Sequence, residues 1–352
     1  MAEVRYFGKT KDGQSAHIFC LENHNGIQLE VSDFGALVLS LFVQDKNGRP
    51  TDVVLGFDTL EEYYQTNPAF GAYVGRNANR IRPARITIEG RSYRLDDNDH
   101  GNNLHSGFTR SHTMLYDAAA GCGSEGEFVE FSRLSPHLEQ GFPRNLVQII
   151  RYTLTPANEF IIDYQMQADR ATVVNPTNHS YFNLNGQGAG SVLSHQLQIF
   201  SDRFLELDAA SVPTGKILDA ADTPMDFRHS HAVGERIDED YDQLKMAHGY
   251  DHCYVFPNDR KLKKMACLSS PESGISLTVL SDRPGMQLYT GNYLEGIRGK
   301  QQRLCHNRDG ICFETQAFPN ACCQPAFPTT ILPAGQIFTS RTIYRFSLSL
   351  IM

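Results

Sequence analysis

The chain has 352 residues, of which 41% are hydrophobic, and a formal net charge of −8. This length suffices for a sizeable core in one large domain or two smaller ones. The negative charge argues against nucleic acid and anionic membranes as partners, since the one basic cluster is "RKLKK" at Arg260–Lys264. No window approaches the roughly 20 apolar residues that span a bilayer, and the N-terminus lacks the apolar run of a secretion signal. We therefore expect a cytoplasmic protein.

The eight cysteines show no disulfide-framework spacing and are expected to be reduced thiols. Cys322 and Cys323 are adjacent but form no CxxC motif, so a packing or surface role is favoured over redox chemistry.

Alternating apolar and polar residues predict β-strands along most of the chain. In chain order the alternation falls at Ile27–Val31, at Ile86–Leu95 across the turn "EGRS", at Phe160–Met166 and at Ile275–Val279. "TPANEF" at Thr155–Phe160 is typical of a hairpin turn, because proline fixes φ and asparagine tolerates left-handed backbone. The chain is therefore predicted to be mostly β.

Helical periodicity is confined to two short stretches. "DTLEEYYQ" at Asp58–Gln65 has Asp58 as its N-cap candidate, and "GERIDEDYDQL" at Gly234–Leu244 is the weaker signal. "GQGAG" at Gly186–Gly190 opens no apolar helix and lacks the Lys-Ser/Thr ending of a phosphate loop, so a plain loop is favoured. Because no linker, low-complexity tract or fixed repeat interrupts the chain, residues 1–352 are predicted to form one domain.

Six segments place ionisable and amide residues among glycines and aromatics, a mixture that suits neither a strand core nor a solvated face. They are "GRNANRI" (Gly75–Ile81), "NNLHSG" (Asn102–Gly107), "NPTNHSYFNL" (Asn175–Leu184), "GYDHCYVF" (Gly249–Phe256), "GMQLYTGNYLEG" (Gly285–Gly296) and "GICFETQAFPNACCQPAFP" (Gly310–Pro328). Such a set suits a sugar, whose hydroxyls take hydrogen bonds while its C–H face stacks on aromatic rings.

Each of these residues also has a purely structural explanation. Arg80 fits a surface ion pair, and Asp251 fits a turn after glycine. His105 and His179 fit structural histidines held by hydrogen bonds. The residues alone leave both explanations open.

Glu314 lies in "ICFETQ", where Ile311 and Phe313 should face one side of a strand and Cys312 and Glu314 the other. A carboxylate there is either exposed on an open face or buried for a functional reason. The pattern does not choose between the two.

The sequences of these segments and their order along the chain resemble those of the aldose 1-epimerase, or galactose mutarotase, family over nearly the whole chain. Besides "TNHSYFNL" and "FETQ" followed by "QPAFP", the resemblance is carried by "FGALVLSL" (Phe34–Leu41), "DVVLGFDTLEEY" (Asp52–Tyr63), "DAASVPTGKI" (Asp208–Ile217), "MDFR" (Met225–Arg228) and "FPTTILPAGQIFTSRTIYRF" (Phe327–Phe346). It implies a large antiparallel β-sandwich, a supersandwich with a few short helices, and a sugar cleft on one concave sheet.

The resemblance also implies an enzyme that interconverts the α and β anomers of free aldohexoses, D-galactose and D-glucose, without cofactor or metal. His179 would be the general acid and Glu314 the general base. The residues that would contact sugar hydroxyls are Asn79, Arg80, His105, Asp251 and Gln287. The implied partner is a small-molecule aldose, and the implied assembly is a monomer or a homodimer.

The chain departs from the family in having no tryptophan. Phe318 and Tyr116 stand where members commonly carry one, and either ring could offer a sugar a flat face. We therefore expect these changes to alter affinity rather than chemistry.

Three other functions are compatible with parts of the sequence. A glycoside hydrolase would use Glu314 and Asp251 as its carboxylate pair. A non-catalytic sugar-binding sandwich would not need the acid and base, and a hexose-6-phosphate mutarotase would need more basic residues around the cleft than Arg80. A metal site at His229 and His231 is disfavoured, because two histidines in HxH spacing lack a third ligand.

Overall fold

The computed structural model of the protein describes residues 2–65 and 68–348. In the first half of the chain the strands are β1 (Glu3–Lys9), β2 (Ser15–Glu22), β3 (Gln28–Ser32), β4 (Leu37–Gln44), β5 (Pro50–Asp52), β6 (Ala72–Val74), β7 (Arg80–Ile81), β8 (Arg85–Ile88), β9 (Arg91–Arg94), β10 (Asn103–Leu104), β11 (Asp117–Cys122), β12 (Glu127–Ser135), β13 (Leu146–Leu154) and β14 (Glu159–Ala168). In the second half they are β15 (Thr172–Val173), β16 (Thr177–His179), β17 (Tyr181–Phe182), β18 (Gln196–Ile199), β19 (Arg203–Leu207), β20 (Pro213–Asp219), β21 (His231–Ala232), β22 (Asp251–Val255), β23 (Lys263–Ser269), β24 (Ile275–Ser281), β25 (Gly285–Tyr289), β26 (Ile311–Gln316), β27 (Ile331–Leu332) and β28 (Ile337–Leu348). The helices are α1 (Leu60–Gln65) and α2 (Asp242–Ala247), and 3-10 turns lie at Ser111–Thr113, Glu139–Gly141, Val192–Ser194 and Lys300–Gln302.

The strands form three large antiparallel sheets. One has the order β1-β2-β3-β4-β5, a second has nine strands in the order β11-β12-β13-β14-β28-β24-β23-β18-β21, and a third has six in the order β17-β26-β25-β22-β19-β20. Short two-stranded ribbons pair β6 with β16, β7 with β10, β8 with β9 and β15 with β27. The mostly β, antiparallel prediction is confirmed.

The nine-stranded and six-stranded sheets pack face to face, as expected of a sandwich. Phe313 is buried at the centre of β26, and its carbonyl oxygen accepts a hydrogen bond from the Tyr344 hydroxyl on β28 at 2.9 Å. The rings of Phe182 and Tyr344 lie 5.0 Å apart across the same interface. Each fully buried side chain of this size contributes roughly 1.5–3 kcal/mol, so this interface holds β26 firmly.

The other face of the six-stranded sheet carries the polar residues. In the register of the sheet Cys312 lies opposite both Tyr181 and Tyr289, and Glu314 lies opposite Gln287. Directly opposed residues share a face, so these five side chains line one surface while Phe313 points into the core. The predicted division of β26 is confirmed, and Glu314 is on the side away from the sandwich core.

The hairpin predicted at Thr155–Phe160 joins β13 to β14, and Asn158 has a left-handed φ of 62°. The helix predicted at Asp58–Gln65 begins at Leu60. Thr59 donates both its backbone N–H and its hydroxyl to Glu62, at 3.0 and 2.8 Å, in the manner of a capping box. The cap is therefore Thr59 rather than Asp58.

The second predicted helix, residues 234–244, is wrong over most of its length, since α2 begins only at Asp242. The acidic residues before α2 pair instead with cations: Arg236 contacts Glu239 at 2.6 Å, and Arg308 contacts Asp238 at 2.8 Å. These pairs satisfy the charges without a helix.

All eight cysteines are free thiols, as predicted. Cys322 and Cys323 have their sulfur atoms 3.9 Å apart and pack against the apolar cluster that contains Ile81 and Ile86. In the described part of the chain, both helices are too short to cross a bilayer.

Candidate active site

A cavity of about 380 Å³ opens on the polar face of the six-stranded sheet. This volume falls in the range of small-molecule sites. Six of the seven predicted site residues line it: Asn79, Arg80, His105, His179, Asp251 and Glu314. Residues far apart in sequence therefore meet at one cavity, as the sequence segments suggested.

Glu314 and His179 face each other inside this cavity, with His179 Nε2 3.6 Å from Glu314 Oε1. They reach it from neighbouring strands, β26 and β16. The Thr177 hydroxyl donates to the Thr315 carbonyl at 3.0 Å and ties these strands together. Both side chains are nearly inaccessible, Glu314 at 2% and His179 at 5% exposed. The pair is thus largely buried, on strands that a side-chain hydrogen bond ties together.

Burial raises the pKa of Glu314 well above its ordinary value, and the nearby carboxylate of Asp251 raises it further. The positive charge of Arg80 opposes both effects without cancelling them. Glu314 Oε2 is buried and has no hydrogen-bond partner among the described residues. The carboxyl group therefore keeps its proton to a higher pH than an exposed glutamate does.

Burial lowers the pKa of His179 to about 4, although a hydrogen bond to backbone favours the charged ring; Arg110 lowers it further. The ring stacks on Tyr181 with centroids 4.9 Å apart, and its Nδ1 lies 3.6 Å from Cys312 Sγ. These shifts favour a neutral His179 and a protonated Glu314.

Asp251 and Gln287 form the next part of the site. Gln287 Nε2 donates to Asp251 Oδ1 at 2.7 Å, and Gln287 itself does not line the cavity. Its Oε1 is buried without a partner among residues 2–65 and 68–348. Burial raises the pKa of Asp251, while Arg80 and the Gln287 hydrogen bond lower it. Gln287, on strand β25, thus holds the Asp251 carboxylate in place through this hydrogen bond.

Asn79, Arg80 and His105 form the opposite wall through the β7–β10 ribbon. Arg80 Nε donates to Asp99 Oδ2 at 2.7 Å, which fixes the guanidinium. The backbone N–H of Asn79 donates to His105 Nδ1 at 3.2 Å. Since Nδ1 accepts, the neutral ring carries its proton on Nε2, and burial holds the pKa of His105 well below its ordinary value. His105 is therefore a neutral donor.

His105, His179 and Glu314 each offer a ligand atom within 4.8 Å of the others, and zinc binds such a set in other proteins. His105 Nδ1 already accepts a hydrogen bond from the backbone N–H of Asn79. A metal ion could therefore bind His105 only through Nε2, and that nitrogen would first have to lose its proton. The expectation that the chain works without metal stays a prediction. His231 does not belong to this group: its two ring nitrogens contact the carbonyls of Ala232 and Asp226.

Sequence reasoning missed the four charged or tyrosine side chains that also line the cavity: Arg110, Tyr181, Tyr289 and Tyr293. The tyrosines lie inside motifs quoted above; Tyr181 and Tyr289 are on strands β17 and β25, and Tyr293 is in the turn after β25. Arg110 had no signal beyond its position shortly after "NNLHSG". Tyr293, which is 63% exposed, gives the cavity an open aromatic rim.

Phe318 and Tyr116 do not line the cavity. Phe318 is 6% exposed and packs edge-on against Phe327, and Tyr116 is 3% exposed within the main core. The expectation that these rings could offer a sugar a flat face is not supported, and the aromatic faces at the cavity come from tyrosines instead.

Comparison with known proteins gives one consistent result. The sequence model of the family described as "Aldose 1-epimerase" matches residues 17–345. The chain is 37% identical to a galactose mutarotase of Rattus norvegicus, over 97% of this chain and 98% of that one, and 32% identical to an aldose 1-epimerase of Escherichia coli, over 95% and 96%. A crystal structure of a galactose 1-epimerase from Lactobacillus acidophilus superposes with a TM-score of 0.87 at 25% identity, over 99% of this chain and all of that one.

Proposed function

The chain belongs to the aldose 1-epimerase family and interconverts the α and β anomers of aldoses, and from that premise we propose that His179 and Glu314 catalyse this reaction on D-galactose and D-glucose. The observation that carries the proposal is the 3.6 Å approach of His179 Nε2 to Glu314 Oε1 inside a sugar-sized cavity. General acid and base groups of this kind contribute roughly 10²–10⁴-fold each.

Ring opening needs one proton removed and one supplied. Glu314, as a carboxylate, takes the proton of the C1 hydroxyl, and His179, as an imidazolium, gives its proton to the ring oxygen. The bond between C1 and the ring oxygen breaks, and C1 becomes an aldehyde. After rotation about the C1–C2 bond, the C5 hydroxyl attacks the other face. Glu314 then returns its proton to the carbonyl oxygen while His179 takes the proton of the C5 hydroxyl.

The pair holds one proton throughout this cycle. While the sugar is cyclic the proton sits on His179, and while the sugar is open it sits on Glu314. Burial favours the second arrangement, because it raises the pKa of Glu314 and lowers the pKa of His179 to about 4. The charge-separated form that starts ring opening therefore costs free energy, and the two proton transfers return that free energy as the ring opens.

The remaining predicted residues hold the sugar in this proposal. His105 donates through Nε2, Arg80 donates through the guanidinium hydrogens that Asp99 leaves free, and the carboxylate of Asp251 accepts. Gln287 keeps Asp251 in place. Tyr293 at the rim provides an apolar surface for C–H groups, a common feature of sugar sites.

We further propose that residues 1–352 form a single domain that works in the cytoplasm as a monomer or homodimer, without cofactor. One core cluster draws its members from Phe19 to Phe346, which supports a single domain. Eight free thiols suit a reducing compartment.

Polarimetry on freshly dissolved α-D-galactose tests the proposal. We expect the protein to speed the decay of rotation to the same final value, and Glu314→Gln to lose that effect. Normal turnover by Glu314→Gln would overturn the assignment of the base. Release of a chromogenic leaving group from a galactoside would instead favour the glycoside hydrolase that uses Glu314 and Asp251.

A further inference from the structure

Arg110 is a cation on the cavity wall that forms no ion pair with any residue that the structure describes. It immediately precedes the 3-10 turn Ser111–Thr113, is partly buried and lines the cavity. Among the described residues its guanidinium forms no ion pair and no hydrogen bond, whereas Arg80 across the cavity is neutralised by Asp99 at 2.7 Å. A half-buried guanidinium left this way is available to a ligand.

Arg110 and His179 line the same cavity, and the charge of Arg110 is among the causes that lower the pKa of His179. Arg80 instead lowers the pKa of Glu314 and of Asp251. Both arginines lower the pKa of His105, and the carboxylate of Asp99 favours the charged form of Arg110 as well as pairing with Arg80. Of the two arginines, Arg110 is the one whose charge acts on the general acid.

The chemistry of the substrate identifies what lies beside the general acid. His179 protonates the ring oxygen, which is bonded to C1 and C5, and Glu314 meets the hydroxyl on C1. The other neighbour of the ring oxygen, C5, carries the exocyclic C6. A group at C6 is therefore on the His179 side of the cavity, where Arg110 stands.

Resting on the proposed function of the site, we propose that Arg110 recognises an anionic group at C6, so that the cavity accepts acidic aldoses as well as neutral ones. The guanidinium fork binds a carboxylate or a phosphate ester through two parallel hydrogen bonds. Hexuronates, with a carboxylate at C6, and hexose 6-phosphates share this chemistry. Their epimerisation uses the same acid and base at C1 and the ring oxygen, and the C6 group takes no part in the proton transfers.

The test compares α-D-galacturonate, α-D-glucose 6-phosphate and α-D-galactose by polarimetry, in the wild type and in Arg110→Gln. We expect turnover of galactose and of at least one acidic aldose. Arg110→Gln should lower kcat/KM for the acidic aldose about 10- to 100-fold more than for galactose, the range for a hydrogen bond to a charged group; the effect of the lost charge on His179 is common to both sugars and cancels in this ratio. Arg49→Gln, a change of an exposed arginine in the loop between β4 and β5, should alter neither.

Several results would overturn the inference. Turnover of galactose but of neither acidic sugar would refute it while leaving the proposed function intact, and loss of all turnover would refute the proposed function first. An equal decline for galactose and galacturonate in Arg110→Gln would make Arg110 a contact for a neutral hydroxyl. If that variant does not fold, the wild type decides: its KM should rise with salt for the acidic sugar and not for galactose, and salt-independent KM values would refute charge recognition.

Discussion

Glu314→Gln is expected to abolish most catalysis while making the protein more stable at neutral pH. Glutamine keeps the size of the side chain and removes the base. Losing a general base costs about 10²–10⁴ in kcat, or about 2.7–5.5 kcal/mol of barrier at roughly 1.36 kcal/mol for each factor of ten. Polarimetry with galactose measures this loss directly.

The gain in stability follows from the sign of the pKa shift. Burial and Asp251 raise the pKa of Glu314 in the folded protein, whereas a glutamate in the unfolded chain titrates near about 4.3. Below that pH both states are protonated and the carboxyl group costs nothing. As the pH rises toward the folded pKa, only the unfolded chain ionises, so stability falls by about 1.4 kcal/mol per pH unit. Glutamine does not titrate and escapes this loss.

Urea unfolding at two pH values measures the difference. We expect the wild type and Glu314→Gln to agree near pH 4 and to differ by more than about 1 kcal/mol near pH 7.5, with the variant more stable. Glu139→Gln is the matched control. Burial raises the pKa of Glu139, but hydrogen bonds from Arg133 and Ser135 outweigh it and leave the pKa below its ordinary value. That variant should lose stability near pH 7.5. Equal stability changes for Glu314→Gln at both pH values would refute the reasoning.

Three further predictions use the same assays. His179→Gln should lower kcat on galactose about 10²–10⁴-fold with an unchanged far-UV spectrum. Because the pKa of His179 is about 4 and the pKa of Glu314 is raised, wild-type kcat/KM should fall toward pH 4 and again at high pH. A kcat/KM that stays constant over the whole pH range would contradict the assignment of this pair as acid and base. Gln287→Leu should raise KM more than it lowers kcat, because it removes the hydrogen bond that holds Asp251 while leaving both His179 and Glu314 in the protein; a loss confined to kcat would contradict this. Gly71→Ala should destabilise the fold by at least about 2 kcal/mol, since Gly71 has a φ of +65° and an added Cβ would lie 2.0 Å from the Val38 carbonyl oxygen; a wild-type urea midpoint would contradict it.

Local sequence patterns correctly predicted elements whose conformation or orientation depends mainly on their own residues. The turn at Thr155–Phe160 is set by its own proline and asparagine, and the alternation of β26 is set by which face meets the core. The prediction of a helix at Gly234–Leu244 was wrong over most of its length, and the contacts of its charged residues are only partly local: Arg236 pairs with Glu239 within the stretch, but Asp238 pairs outside it. Arg308, for example, is 70 residues beyond Asp238, and no local window contains that pair.

Site residues that belong to a family motif could be predicted from the sequence, whereas residues that only the tertiary fold brings to the cavity could not. Resemblance identified His179 and Glu314, but their 3.6 Å approach depends on the register between strands far apart in sequence. Arg110 belongs to no quoted motif, and only the fold brings it to the cavity. Phe318 was predicted from its position after "FETQ" to be able to contact the sugar, but it packs in a small buried cluster with Phe327.

Burial determines which group holds the proton and also how reactive each group is. In water an imidazolium is a weak acid and a carboxylate a weak base. Inside the cavity the same burial that lowers the pKa of His179 to about 4 makes its charged form a stronger acid, and the raised pKa of Glu314 makes its anion a stronger base. Burial disfavours the charge-separated pair, so the proposed mechanism needs the sugar hydroxyls to hydrogen-bond both groups as that pair forms. In that mechanism the two proton transfers discharge the pair as the ring opens, which returns the free energy that separating the charges had cost. A variant that exposed the pair to water should move both pKa values toward their ordinary ranges and lower the reactivity of both groups, even with both residues intact.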